Sequence, residues 1–193
     1  MPAARILEGS DLPIVAIAGV FLIIVNDNCK FIFHCFMKRL ILLDLDNTLI
    51  YSDFSNKLKA KLLCKYLDFL YVYERPFVRE FIQQCHEIGE VMVFTMAEWD
   101  YAAQITEYLN IQPSRIYSND DCPVKEGVAK KSLPDHYYET YDQIIIVDDY
   151  PEIWEVKNNK LCHFIVPVAF TGDRKDTQLK LLMTKLMEYK DKT

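Results

Sequence analysis

Two kinds of apolar run alternate along this chain. Short unbroken runs fill residues 40–45, 91–94 and 143–147, the first carrying a single Asp. Nothing alternates within them, so each predicts a strand buried on both faces, as parallel sheets require. Between them the apolar positions recur three and four apart. Phe77, Phe81, Cys85 and Ile88 predict a helix opened by Pro76, since proline wastes no hydrogen bond at the first helical position; Gly89 stands where a left-handed stop is expected. Tyr101, Ile105, Tyr108 and Leu109 predict a second helix over residues 98–109. Leu58, Leu62, Tyr66 and Leu70 predict a partly helical stretch over 56–70, with a short extended piece at 71–73. Further on, the pattern predicts a short strand at 116–117, a polar and mixed stretch at 118–142 and a short helix at 151–156. A strand at 163–166 follows, then a closing helix over 173–189 with Leu179, Leu182, Met183 and Leu186 on one face. Strands alternating with helices predict an α/β fold built on a mainly parallel sheet.

The first 36 residues break this pattern. Residues 12–25 form an apolar run interrupted only by Pro13, and a second run covers 31–37. Three readings stand side by side. A membrane anchor is one, although 14 residues fall short of the roughly 20 that cross a bilayer as a helix. A signal peptide fits poorly, because Glu8 and Asp11 accompany a single Arg5 where a basic start is expected. A β-hairpin is the second reading: residues 20–25 and 30–36 are rich in β-branched and aromatic side chains, and Asn26-Asp27-Asn28 suits the turn. The third is that 1–36 lie outside the native domain, which then occupies 37–193. Any membrane association is expected only through residues 12–25.

Composition narrows the function. At 193 residues and 51% apolar, the chain is the size of one domain with a real core. A net charge of −6 does not suit a direct nucleic-acid binder, whose affinity rests on neutralising backbone phosphates. Six cysteines show neither Cys-x-x-Cys nor zinc-finger spacing, and read as small buried hydrophobes of a reducing, intracellular compartment, nucleus or cytoplasm.

The polar residues Asp44, Asp46, Thr95, Asp148 and Asp149 all fall at or just past the C-terminal ends of expected buried strands. Ligands bind there in open α/β sheets. In Asp44-Leu45-Asp46, period-two spacing directs both carboxylates to one side if the chain stays extended. Buried carboxylates repel one another and lose solvation, so a group of them calls for a compensating cation. Magnesium, which takes hard oxygen ligands and substrate phosphate, fits that need. Each Asp taken singly reads equally well as a cap for the helix that follows.

At this point a resemblance enters. Leu42-Leu43-Asp44-Leu45-Asp46-Asn47-Thr48-Leu49-Ile50 resembles the Asp-x-Asp-x-Thr motif of the haloacid dehalogenase superfamily, and within it of the FCP/SCP-type phosphatases. Arg75-Pro76-Phe77, Val93-Phe94-Thr95-Met96-Ala97 followed by Tyr101-Ala102, and Ile145-Ile146-Val147-Asp148-Asp149-Tyr150-Pro151 resemble that family's further motifs, in order. The likeness covers residues 38 to 187. The departures are Met96-Ala97 in place of Ala-Ser, and a compact stretch between Ser52 and Arg75.

The resemblance implies a Rossmann-like fold without a large cap, and a magnesium-dependent phosphoserine/threonine phosphatase. It implies Asp44 as nucleophile and Asp46 as general acid and base, with the Asp46 backbone carbonyl on the metal. Thr95 would hold a phosphate oxygen; its plainer reading is a cap for the helix at Glu98. Asp148 and Asp149 would complete the metal site. A motif lysine is also implied: Lys125, Lys130 and Lys131 are candidates, and Lys131-Ser132-Leu133 matches best, with Lys130 in reserve. Arg75 reads as pinning the loop before the helix, with reach to a substrate phosphate as the alternative, and Trp99 and Trp154 as packing or entrance residues. The substrate class implied is the RNA polymerase II tail. The alternatives are a phosphatase of a small metabolite or nucleic-acid end, and a non-catalytic adaptor, against which the chain retains both Asp44 and Asp46. If the N-terminal run inserts, a membrane-tethered phosphatase follows.

Overall fold

The computed structural model describes residues 37–158 and 160–190 in full, and of the preceding segment only four strands. Two compact units result, residues 38–190 and residues 1–37 with 191–193. In the smaller unit β1 (Arg5–Ile6), β2 (Ile14–Ile17), β3 (Val20–Val25) and β4 (Lys30–Cys35) form an antiparallel sheet in sequence order. Val25 pairs with Lys30; the expected turn at 26–28 lies outside the described residues. Among the described residues no helix is long and apolar enough to cross a membrane.

The larger unit is built on β5 (Arg39–Leu43), β9 (Glu90–Phe94), β10 (Ile116–Tyr117), β13 (Gln143–Val147) and β14 (Cys162–Ile165), all parallel, in the order β10-β9-β5-β13-β14. Side chains alternate across the sheet and both sides are apolar. Ile41, Leu43, Val91, Val93, Ile145 and Val147 pack on one face against α1 (Val78–Ile88), α2 (Trp99–Leu109) and α4 (Gln178–Lys190). Leu40, Leu42, Met92, Phe94, Ile144 and Ile146 pack on the other with Leu133, Trp154 and Tyr137 of α3 (Asp135–Thr140). Burial on both faces is why these strands read as unbroken runs. The fold is therefore α/β with a central parallel sheet flanked by helices, as the alternation predicts.

Several elements differ from the sequence reading. Residues 56–70 hold no helix: β7 (Lys61–Tyr66) and β8 (Leu70–Glu74) form a hairpin, and with β6 (Ile50–Asp53) a three-stranded antiparallel sheet in the order β6-β8-β7. A spacing of four satisfies a strand's period of two as well as a helical turn, and Tyr66 meets Tyr101 edge-on at 5.1 Å from the sheet. The first helix begins at Val78 rather than Pro76, because Phe77 adopts φ 66°, outside the helical region. The closing helix begins at Gln178 rather than Asp173, and residues 151–156 yield only a 3₁₀ turn, Pro151–Ile153. A last hairpin, β11 (Val124–Lys125) with β12 (Val128–Ala129), stands in the stretch read as polar and mixed.

Gly89 is extended (φ −168°, ψ −175°), not left-handed. Its glycine is needed for space: a Cβ there would lie 2.6 Å from the Arg39 carbonyl oxygen. Arg75 is completely buried. Its guanidinium meets Asp176 through Nε (3.0 Å) and Nη2 (2.9 Å), and donates to the Thr48 carbonyl (2.9 Å) and the Val168 carbonyl (2.7 Å). One side chain thus joins the loop after β5, the loop after β14 and the approach to α4, the pinning role that the sequence predicts for it. Cys64, Cys85, Cys122 and Cys162 are free and buried.

Because the atom facing residue 89 is backbone and cannot rotate away, Gly89→Ala is expected to cost about 1–3 kcal/mol. Urea unfolding of the purified variant checks this; an unchanged midpoint would show that the β5–α1 approach relaxes freely.

Candidate active site

Strand register places the site. Leu43 of β5 pairs with Val93 of β9 and with Val147 of β13. Asp44 and Asp148, one residue further on, therefore leave adjacent strands at one level, and the Asp44 N–H still donates to the Val147 carbonyl at 3.0 Å. The chain departs from β5 towards β9 on one side and returns to β13 on the other, so this edge is a switch point of the sheet. A cavity of about 530 Å³ opens over it, lined by Asp44, Asp46, Thr95, Lys131, Asp148, Asp149 and neighbours including Met96, Tyr150 and Ile153.

Lys131 reaches in from the other face of the sheet. Its Nζ donates to Asp44 Oδ1 at 2.6 Å and to Asp148 Oδ2 at 2.7 Å, with all three side chains buried. Lys130 instead donates outward to the Glu152 carbonyl and Lys125 pairs with Glu155, so of the three candidates only Lys131 enters the cavity. Asp44, Asp148 and Asp149 offer oxygens that all lie within 4.8 Å of one another. Asp149 is fixed by Thr48: its carboxylate accepts from the Thr48 hydroxyl at 3.0 Å, and its N–H donates back to the same oxygen.

Asp46 stands apart from that trio. Its carboxylate accepts from Tyr101 Oη at 2.9 Å and from Ser52 Oγ at 3.4 Å. Thr95 is buried, its Oγ1 accepting the Ala97 N–H at 3.1 Å. It does not cap α2, whose N-cap is Glu98. Three of these partners are absent from the sites that the sequence predicts. Thr48 carries a signal as the last letter of the first motif. Tyr101 carries a weaker one, as an inward helix residue. Trp154, whose Nε1–H donates to Asp148 Oδ2 at 2.7 Å, carries none beyond its size.

Burial pushes the Asp44 carboxyl up to about 7; Lys131 opposes the shift, and the nearby Asp148 and Asp46 charges add to it. Burial also raises Asp46, against its Tyr101 and Ser52 hydrogen bonds, and raises Asp149, against its bond from Thr48. For Lys131, burial favours the neutral amine, but the Asp44 and Asp148 charges outweigh it and the net shift is upward. One ammonium among three crowded carboxylates leaves negative charge in excess. That donor set, hard oxygens only, fits a magnesium ion.

The fold is that of a haloacid dehalogenase-type domain. The chain belongs to the NLI interacting factor-like phosphatase family, whose model matches residues 39–193. It is 28% identical over 132 residues, 64% of its length, to an RNA polymerase II C-terminal domain phosphatase of Encephalitozoon cuniculi, of which it covers 31%. It is 28% identical over 153 residues, 74% of its length, to the human CTD small phosphatase-like protein, of which it covers 52%. The chain thus spans about a third to a half of these relatives. The solved structure of Fcp1, an essential RNA polymerase II CTD phosphatase, superposes with a TM-score of 0.50 at 17% identity, over 80% of this chain and 49% of that one.

The raised Asp44 carboxyl fixes a sign for stability. Its folded pKa of about 7 lies above its ordinary 3.8, so the metal-free folded state holds a proton that the unfolded chain gives up. The contribution is full below pH 4 and is lost as pH rises to 7. Unfolding free energies measured in EDTA are expected to fall over that window in the wild type relative to Asp44→Asn. The difference has a slope of at most about 1.4 kcal/mol per pH unit. Parallel profiles for the two proteins would contradict the assignment.

Proposed function

We propose that this chain is a magnesium-dependent phosphoprotein phosphatase that works through an aspartyl-phosphate on Asp44. The observation that carries the reading is the buried Lys131 ammonium shared by Asp44 and Asp148 at the floor of an open cavity. Asp44 attacks phosphorus, forming an O–P bond as the bond to the serine or threonine oxygen breaks. Asp46 gives its proton to that leaving oxygen, then as carboxylate takes one from the water that cleaves the aspartyl-phosphate, restoring Asp44 and releasing phosphate. Its raised pKa suits a group that must carry a proton in the first step. Tyr101 and Ser52 hold that carboxylate in place.

Lys131 offsets charge on the nucleophile and the transferring phosphoryl group. Thr95 and the adjacent backbone bind a phosphate oxygen. Asp44, Asp148, Asp149 and the Asp46 backbone carbonyl would hold Mg2+, which supplies further neutralisation of phosphate charge when bound.

The segment between β5 and α1 holds only the small sheet β6–β8, so the cavity stays open. An open site favours phosphoserine or phosphothreonine in an extended protein tail over a small metabolite. The name of the Encephalitozoon cuniculi relative supports the RNA polymerase II tail as the substrate, and work on that tail would put the chain in the nucleus.

Hydrolysis of p-nitrophenyl phosphate tests the chemistry. Asp44→Asn and chelation by EDTA should each reduce turnover at least about a thousandfold, on the scale of nucleophile removal, and added Mg2+ should restore only the wild type. Activity surviving in Asp44→Asn rules the mechanism out. A phosphoserine heptad peptide should be hydrolysed in preference to a panel of sugar phosphates and nucleotides; the reverse order moves the substrate to the small-molecule class.

A further inference from the structure

Trp154 lies six residues past Asp148 and 23 past Lys131, yet it touches both. The chain around it forms an isolated parallel bridge, Lys131 against Trp154. The Lys131 N–H donates to the Ile153 carbonyl at 3.0 Å, and the Glu155 N–H donates to the Lys131 carbonyl at 2.8 Å. Lysine and tryptophan are thereby held side by side in register. Above the bridge the contact is repeated through the side chains. The indole Nε1–H donates to Asp148 Oδ2 at 2.7 Å, the same oxygen that accepts from Lys131 Nζ at 2.7 Å. The Trp154 ring centroid is 5.5 Å from Nζ and that of Phe94 is 5.9 Å away. The two rings meet edge-on at 5.0 Å. Asp148 Oδ1 is taken in turn by the Tyr150 N–H at 2.9 Å.

A buried indole N–H needs an acceptor, and ordinary packing would meet that need with any oxygen. Here the acceptor is the carboxylate that orients the motif lysine. Hydrogen bonds to ionised groups are short and strong, and an N–H locked into a bridge restricts where the oxygen can sit. The aromatic faces add a weaker attraction for the ammonium.

Resting on the phosphatase reading above, we infer that Trp154 is a positioning residue: its indole N–H fixes Asp148, and through it Lys131, against the Asp44 nucleophile. Trp154 is not among the residues that line the cavity, and its indole N–H goes to Asp148. It acts by holding the ammonium at the distance where charge on the transferring phosphoryl group is offset. Removing such a supporting hydrogen bond from a group that contacts the reacting atoms costs about 10–100-fold in activity.

Trp154→Phe keeps the ring against Phe94 and deletes only the donor. With p-nitrophenyl phosphate and saturating Mg2+, kcat of the variant should fall about 10–100-fold with KM little changed, and orthovanadate inhibition should weaken in parallel. A kcat within twofold of wild type overturns the proposal, as does a loss confined to KM. Trp99→Phe, at an exposed position outside the cavity, should leave activity as it was and makes Trp154 the sole indole. In that protein the indole N–H proton resonance, read by NMR without substrate, should lie downfield and exchange slowly, and Asp148→Asn should move it upfield. An indole signal indifferent to Asp148→Asn overturns the proposal even if Trp154→Phe fails to fold. Should wild type prove inactive while the indole signal responds, the phosphatase reading fails and the hydrogen-bonded contact stands.

Discussion

An ammonium shared between two buried carboxylates is the interaction on which this domain turns. Parallel pairing of β5 with β13 forces Asp44 and Asp148 to leave the sheet side by side. Two like charges at that separation, out of water, would drive one another to bind protons. Lys131 enters between them and bonds to both. It arrives from a stretch with little regular structure, so its path is fixed by other means: the bridge to Trp154, the packing of Leu133 beneath the sheet, and the small β11–β12 hairpin before it. The remaining acidic excess, with Asp149 tied to Thr48, is what makes the rim suited to a dication and a phosphate together.

The two aspartates of the first motif stand close in sequence but in different surroundings. Asp44 and Asp46 are two residues apart, just past the end of β5. Asp44 faces Lys131 and its acidic neighbours, whereas Asp46 faces a tyrosine and a serine hydroxyl. Burial raises both carboxyls; Lys131 opposes the rise at Asp44, and the Tyr101 and Ser52 hydroxyls oppose it at Asp46. In the proposed mechanism the two residues would be told apart by the partner each side chain meets.

Much of this is legible in the sequence. The unbroken runs at 40–45, 91–94 and 143–147 are strands because burial on both faces leaves them no polar side, and the acidic residues at their ends fall where such sheets bind ligands. Residues 56–70 mislead because Leu58, Leu62, Tyr66 and Leu70 are spaced by an even number, which a helix and a strand both satisfy. Gly89 suggests a left-handed turn, but what requires glycine is the Arg39 carbonyl from a strand fifty residues away, invisible to any local rule. The preference for Lys131 over Lys130 rests on likeness alone; the physical reason is that the bridge turns one lysine inward and leaves its neighbour facing the Glu152 carbonyl. Trp154 shows the limit most clearly, since its role depends on a partner 23 positions away and on one hydrogen atom.

Arg75 carries a further meaning. Its buried guanidinium ties the carbonyl of Thr48, whose hydroxyl holds Asp149, to Asp176 at the threshold of α4. The last helix is consequently joined, through one side chain, to the loop at the rim of the cavity. A shift of that helix would therefore be felt first by the loop that carries Thr48 and, through its hydroxyl, by Asp149.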